Sequence, residues 1–159
     1  MNKTYLLLGS NIGNSRQQLL TAIKNIAKQI GNVSRQSSLY ATAAWGNTNQ
    51  PDYLNQVIVV ETMLTALQTI DVILNIENKM GRVRTIKNAP RIIDIDILFF
   101  NKERIAEKRL VVPHPQIENR RFVLIPLNEL SPNFKHSVSH KTIHQLLHDC
   151  NDTLDVKKF

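Results

Sequence analysis

The sequence holds a single cysteine, Cys150, among its 159 residues. An internal disulfide is therefore excluded, and so is a zinc site built on thiolates. Long apolar runs are missing as well. Behind the amino-terminal residues only Tyr5-Leu6-Leu7-Leu8 precedes Gly9, and no run of membrane-spanning length follows. Such a run is too short for a signal-peptide core or a membrane span. The expectation is one cytoplasmic domain over residues 1–159, in a reducing compartment and away from membranes. Aromatic residues are sparse at 6%, which leaves little for a stacking platform under a nucleic-acid strand, although a net charge of +7 suits anionic partners. No Gly-x-x-x-x-Gly-Lys-Ser/Thr loop occurs. Gly9-Ser10-Asn11-Ile12-Gly13 lacks the spacing and the basic residue that such a phosphate cradle needs. No Ser/His/acid or Cys/His constellation stands out, and no repeat or Pro/Ser-rich linker marks a domain boundary.

What is present is the composition of a folded domain, with 42% hydrophobic and 21% charged residues. At this length a chain buries roughly 70% of its unfolded surface, enough for one sizeable core. Thr4–Leu8 reads as a buried strand. Leu19, Ile23, Ile26 and Ile30 recur at helical steps, and Gly31 closes that helix as a left-handed cap would. A strand is expected around Val33–Tyr40 and another over Leu54–Met63. Thr65 stands where an N-cap belongs, before a helix with Leu67, Ile70, Ile73, Leu74 and Met80 on one face, ended by Gly81. Ile92–Phe100 is the next strand. Pro113, Pro115, Pro126 and Pro132 punctuate shorter elements, and Thr142–Cys150 makes a last helix. The order βαββαβ is that of an α+β, ferredoxin-like sandwich with C-terminal additions.

The chemistry concentrates in Ile92-Ile93-Asp94-Ile95-Asp96-Ile97-Leu98. Side chains alternate along a strand, so the isoleucines at 93, 95 and 97 face one way and Asp94 and Asp96 the other. Their α-carbons lie about 7 Å apart, close enough for the oxygens to share or flank a cation. Hard oxygen ligands without a dedicated cage suit Mg²⁺, which completes its shell with water and substrate phosphates. A merely solvated polar face is the plain alternative. Just before the pair come Arg82, Arg84, Lys87 and Arg91, with no acid among them. A cationic loop beside paired carboxylates is what a Mg²⁺-nucleotide requires, since guanidinium groups neutralise phosphate oxygens two at a time. Glu77 shares the apolar helical face of Ile73 and Leu74 and so needs a partner, structural or ligand-directed. His136, His140, His144 and His148 are spaced by four, but without a His-Glu-x-x-His pattern they make a poor metal site. His114 is held between Pro113 and Pro115 in a stiff extended segment.

Taken together these landmarks resemble the hydroxymethyldihydropterin pyrophosphokinases of folate biosynthesis. The likeness runs through Gly9-Ser10-Asn11, Gln50-Pro51-Asp52-Tyr53-Leu54-Asn55, Glu77, Gly81-Arg82-Val83-Arg84 and Lys87–Leu98. It continues through Val112-Pro113-His114 and Asn119-Arg120-Arg121-Phe122. The resemblance implies transfer of pyrophosphate from ATP to the hydroxymethyl group of 6-hydroxymethyl-7,8-dihydropterin, leaving AMP. It implies two Mg²⁺ ions held by Asp94 and Asp96, with Arg82 and Arg91 stabilising charge at the transferring group. ATP would be held by Glu77, Arg84, Arg109, His114 and Arg120. The pterin would lie between Tyr53 and Phe122, with Asn55 on its polar edge and Thr42, Ala43 and Trp45 adding contacts. Departures from the family pattern are Asn88 in place of a loop tryptophan, Ala43 and Ala44 where prolines are common, Trp45 for an aliphatic residue, and Leu74 for a polar one.

Two other readings compete. A nucleotidyltransferase or two-metal phosphodiester enzyme would use the same aspartates but release pyrophosphate. An RNA-binding ferredoxin-like module would use the positive charge, yet it lacks an RNP-like run of aromatics. No dimer-specific pattern is visible, so the default is a monomer acting on small molecules, with neither nucleic acid nor membrane as partner.

Overall fold

The computed structural model describes residues 1–43, 52–81 and 92–159. Its first part runs β1 (Asn2–Ser10), α1 (Ser15–Gln29), β2 (Gly31–Gln36), β3 (Tyr40–Thr42), β4 (Tyr53–Thr62), α2 (Ala66–Lys79) and β5 (Asp94–Phe100). Then β6 (Ile105–Glu107) and β7 (Leu110–Val112) form a hairpin, and a 3-10 turn at Ile117–Asn119 leads into α3 (Arg121–Leu130). Helix α4 (Ile143–Asp149) and β8 (Val156–Lys158) follow. The main sheet is antiparallel in the order β5-β1-β4-β3-β8, with β2 also pairing β4. This is the ferredoxin-like sheet, extended at one edge by β8.

Local chemistry starts the helices on this side of the sheet. The Asn14 side chain accepts the Gln17 amide, and Thr65 with Gln68 forms a reciprocal capping box. Caps of this kind each stabilise a helix by about 1 kcal/mol. Packing supplies most of the rest. One face of the sheet presents Leu6, Leu8, Ile58, Val60, Ile95 and Ile97 to Leu19 and Ile26 of α1 and to Ile73 and Ile76 of α2. The other presents Tyr5, Leu7, Val57, Val59 and Phe99 to Val123, Leu124 and Leu127 of α3 and to Ile143 and Leu146 of α4.

Four local expectations change. The strand foreseen over Val33–Tyr40 is two strands, because Ser37–Leu39 break the ladder; Ser37 Oγ there accepts the Val57 amide at 3.0 Å. Gly31 is no left-handed cap, since only Gly13 and Gly81 have positive φ among the glycines described. It opens β2, where a Cβ would lie 2.0 Å from the carbonyl oxygen of Glu61. Close backbone approach, not helix termination, demands glycine there. Pro126 punctuates nothing: it lies buried inside α3, where burial of Leu124, Leu127 and Leu130 outweighs the missing backbone donor. Finally, β8 has no counterpart in the sequence reading. Among the described residues no helix is long and apolar enough to cross a membrane.

Candidate active site

Strand register assembles the site. Gly9 of β1 stands opposite Asp94 of β5 on one side and Asn55 of β4 on the other, and Asn55 in turn stands opposite Tyr40 of β3. One row across four strands therefore reads Asp94, Gly9, Asn55, Tyr40. Residues facing one another in a ladder share a sheet face. Since Ile95 and Ile97 pack toward α1 and α2, Asp94 and Asp96 lie on the opposite face, that of α3. Tyr53 and Asn55 alternate with Val57 and Val59 on that same face. Both aspartates are partly exposed and neither is sunk in the apolar interior.

Gly9 forms the floor between the acids and the amide. A Cβ placed on it would come within 3.0 Å of Asn55 Oδ1 and 3.7 Å of Tyr53 Cδ1. The absence of a side chain leaves a shallow space bounded by a carboxylate on one side and by an amide and a phenol ring on the other. Asn55 is 3% exposed and donates from Nδ2 to Thr42 Oγ1 at 2.9 Å. That bond orients the amide and turns Oδ1 toward Gly9. Thr42, itself opposite Tyr53, is held at the sheet edge by β8.

The third wall comes from the chain after β7. The His114 amide donates to the Leu98 carbonyl oxygen at 3.0 Å, anchoring the segment on β5. His114 Nδ1 accepts from the Gln116 amide at 3.1 Å, which leaves Nε2–H as the ring's donor. Burial lowers the His114 pKa, the Arg120 guanidinium lowers it further, and Asp94 opposes both. Arg120 and Asp94 thus both lie within electrostatic reach of His114, whose imidazole favours its neutral form. The Arg120 guanidinium lies 5.8 Å from the ring centre of Phe122, which stands partly exposed in the first turn of α3.

Glu77 is only 1% exposed, and Oε2 accepts the Ile95 amide at 2.7 Å. One of its partners is thus the backbone of the strand that carries both aspartates. A buried carboxylate holding a backbone donor fixes β5 in place between Asp94 and Asp96. Arg109 sits in the β6–β7 turn and pairs with Asp71 of α2, both about half exposed. Ala43 follows β3. Arg82, Arg84, Arg91 and Trp45 lie outside the described residues, as do Lys87 and Asn88. Of the four C-terminal histidines only His136 is buried; its Nδ1 accepts the Val138 and Ser139 amides and its ring packs edge-on to Phe99.

Glu129 of α3 is a contributor that no sequence pattern announced. It accepts from the Tyr40 hydroxyl at 2.5 Å and from the Ser38 amide and hydroxyl, tying α3 to β3. Burial, then the hydrogen bond and charge of Glu129, push the Tyr40 phenol up to about 12. Burial alone would raise Glu129, but the Tyr40 and Ser38 bonds outweigh it and hold the carboxyl below its usual range.

Comparison with known proteins supplies the family and the fold. Residues 5–132 match the family model for 7,8-dihydro-6-hydroxymethylpterin-pyrophosphokinase. The chain is 40% identical over 134 residues to the 2-amino-4-hydroxy-6-hydroxymethyldihydropteridine pyrophosphokinase of Methylorubrum extorquens, covering 84% of this chain and 85% of that one. With the enzyme of the same name from Bacillus subtilis it shares 38% identity over 130 residues, 81% of this chain and 78% of the other. Among solved structures it resembles wild-type HPPK-DHPS of Plasmodium falciparum, with a TM-score of 0.76 over 93% of this chain's length at 22% identity. There the chain spans 43% of the longer protein, and the likeness is one of fold.

Proposed function

The chain belongs to the 7,8-dihydro-6-hydroxymethylpterin-pyrophosphokinase family, and from that premise we propose that it moves pyrophosphate from ATP to the hydroxymethyl oxygen of 6-hydroxymethyl-7,8-dihydropterin, releasing AMP. The observation that carries this reading is the Asp94–Gly9–Asn55 row. That row has a carboxylate and a hydrogen-bonding amide on one face, separated only by a glycine, which supports a hard-oxygen cation site beside a pterin contact.

On the pterin side, Asn55 offers an acceptor on the edge of a flat heterocycle while Thr42 holds the amide. Tyr53 and Phe122 supply aromatic faces for stacking. On the phosphate side, Asp94 and Asp96 fit Mg²⁺ by their chemistry: two carboxylates at alternate strand positions, partly open to solvent. Bound there with ATP, two such ions would neutralise phosphate charge. Arg120 and the neutral His114, donating through Nε2, would hold phosphate oxygens. Arg82, Arg84, Arg91 and Arg109 would add charge along the polyphosphate. Phosphoryl transfer of this kind depends on positioning and electrostatics more than on a strong nucleophile. The pterin hydroxyl gives up its proton to solvent as it attacks the β-phosphorus, and the bond from that phosphorus to the oxygen bridging it to the α-phosphorus breaks, its electron pair leaving on AMP. Glu77, through the Ile95 amide, keeps the aspartate strand in register.

The test is product analysis. Purified protein incubated with Mg-ATP and the reduced hydroxymethylpterin should form AMP only when the pterin is present. ADP as the product would indicate simple phosphoryl transfer, and free pyrophosphate would indicate nucleotidyl transfer.

A further inference from the structure

Helix α3 carries Phe122 in its first turn, yet it begins without a cap of its own. Arg120, at the N-cap position, makes no side-chain bond to the helix. The acceptor comes instead from Asp152, whose Oδ2 takes the Arg121 amide at 3.0 Å. The other oxygen, Oδ1, takes the Leu154 amide at 2.9 Å and turns the chain toward β8. That strand pairs with β3, placing Val156 opposite Thr42, and the Phe159 amide donates to the Leu39 carbonyl oxygen at 2.8 Å. Residues 150–159 thus fasten the helix turn that presents Phe122 and the strand that presents Thr42.

We propose that Asp152 is a positioning residue for the pterin substrate: by capping α3 from the segment that also forms β8, it sets the spacing between the Phe122 and the Thr42–Asn55 walls of the pocket. The inference rests on the reading of Phe122, Thr42 and Asn55 as pterin contacts. A carboxylate is suited to this place because it satisfies an orphan amide and favours the positive end of the helix dipole. Asparagine keeps one acceptor oxygen, enough for the Arg121 amide, and gives up the charge and the second bond to the Leu154 amide. Without either, the first turn of α3 loses its anchor to the β8 segment, and the Phe122 ring it carries is no longer held in place. The nucleotide side is built on β5 and the segment after β7, and it meets this bond only at Arg120, the residue before the capped amide.

Steady-state kinetics on the full chain test this, with both substrates varied. Asp152→Ala should raise the KM for pterin about threefold to tenfold, with kcat within about twofold of the parent and a smaller rise in the KM for ATP, confined to what Arg120 contributes. Asp152→Asn should restore part of the pterin KM, because its one oxygen can still take the Arg121 amide. In a Phe122→Ala background, Asp152→Ala should add little further, because its effect passes through that ring. Phe122→Ala alone separates the two levels: an unchanged pterin KM there would remove the pocket reading itself. A raised pterin KM in Phe122→Ala, with Asp152→Ala lowering only the melting temperature or raising both KM values alike, would overturn the positioning role.

Discussion

The two faces of the sheet follow different rules. Toward α1 and α2 the apolar rows run the length of the strands, from Leu6 and Ile97 through Leu8 and Ile95, and on to Ile93 beyond the end of β5. Toward α3 and α4 they stop at Leu7 and Val57, and the next row is Asp94, Gly9 and Asn55. The same three strands build both faces, because alternation sends neighbours to opposite sides. One face stores stability; the other withholds packing at one end and exposes chemistry there. Glu77 is the exception that joins them, an acid on the packed side whose oxygen holds the backbone of the strand bearing the acids of the other.

Substitutions can break that contrast in graded ways. The largest effect is expected for Asp96→Ala, which should lower turnover about a thousandfold while the melting temperature stays within a few degrees, measured by AMP release and calorimetry. A comparable loss of stability would mean that the open face also bears the fold. Leu8→Ala, on the packed face, should do the reverse: about 2–5 kcal/mol lost in denaturant unfolding, with kcat per folded molecule nearly intact at low temperature. Glu77→Ala should do both. Leaving the Ile95 amide buried without its acceptor costs about 1–3 kcal/mol, and turnover should fall as the aspartate strand loosens. Gly9→Ala is milder, because the new Cβ presses on Asn55 Oδ1 at 3.0 Å. The pterin KM should rise up to about tenfold, with the ATP KM unmoved.

The smallest effect is one of pH. The folded Tyr40 phenol is raised to about 12, so it keeps its proton at pH values where the unfolded chain has lost it. Its contribution to stability is complete below about pH 10, the ordinary phenol value. It disappears as the pH rises through about 12. Melting temperatures of the parent should therefore fall more steeply across that window than those of Tyr40→Phe.

Much of this arrangement is legible in the sequence. The alternation in Ile93–Ile97 announced both the strand and the opposite orientation of its acids, and helical periodicity located α1 and α2. Helix α3 escaped because Phe122-Val123-Leu124-Ile125-Pro126-Leu127 is apolar on almost every side and contains a proline, so no period shows. Strand β8 escaped because three residues carry little pattern and take their shape from β3. In the site, Asp94, Asp96 and Asn55 stood out by residue type and resemblance. The role of Gly9 depends on register, while Glu129 and Asp152 act across separations of about 90 and 30 residues. Such bonds exist only once the fold has closed, and surface acids give no sign of them beforehand.

A crystal structure with Mg²⁺, a non-hydrolysable ATP analogue and the pterin tests the central claim most directly. The account predicts metal within about 2.1 Å of oxygens of both Asp94 and Asp96, and the pterin over Gly9 with its hydroxymethyl group turned toward them. Metal bound away from either aspartate, or a pterin seated elsewhere than between Asn55 and Phe122, would contradict it.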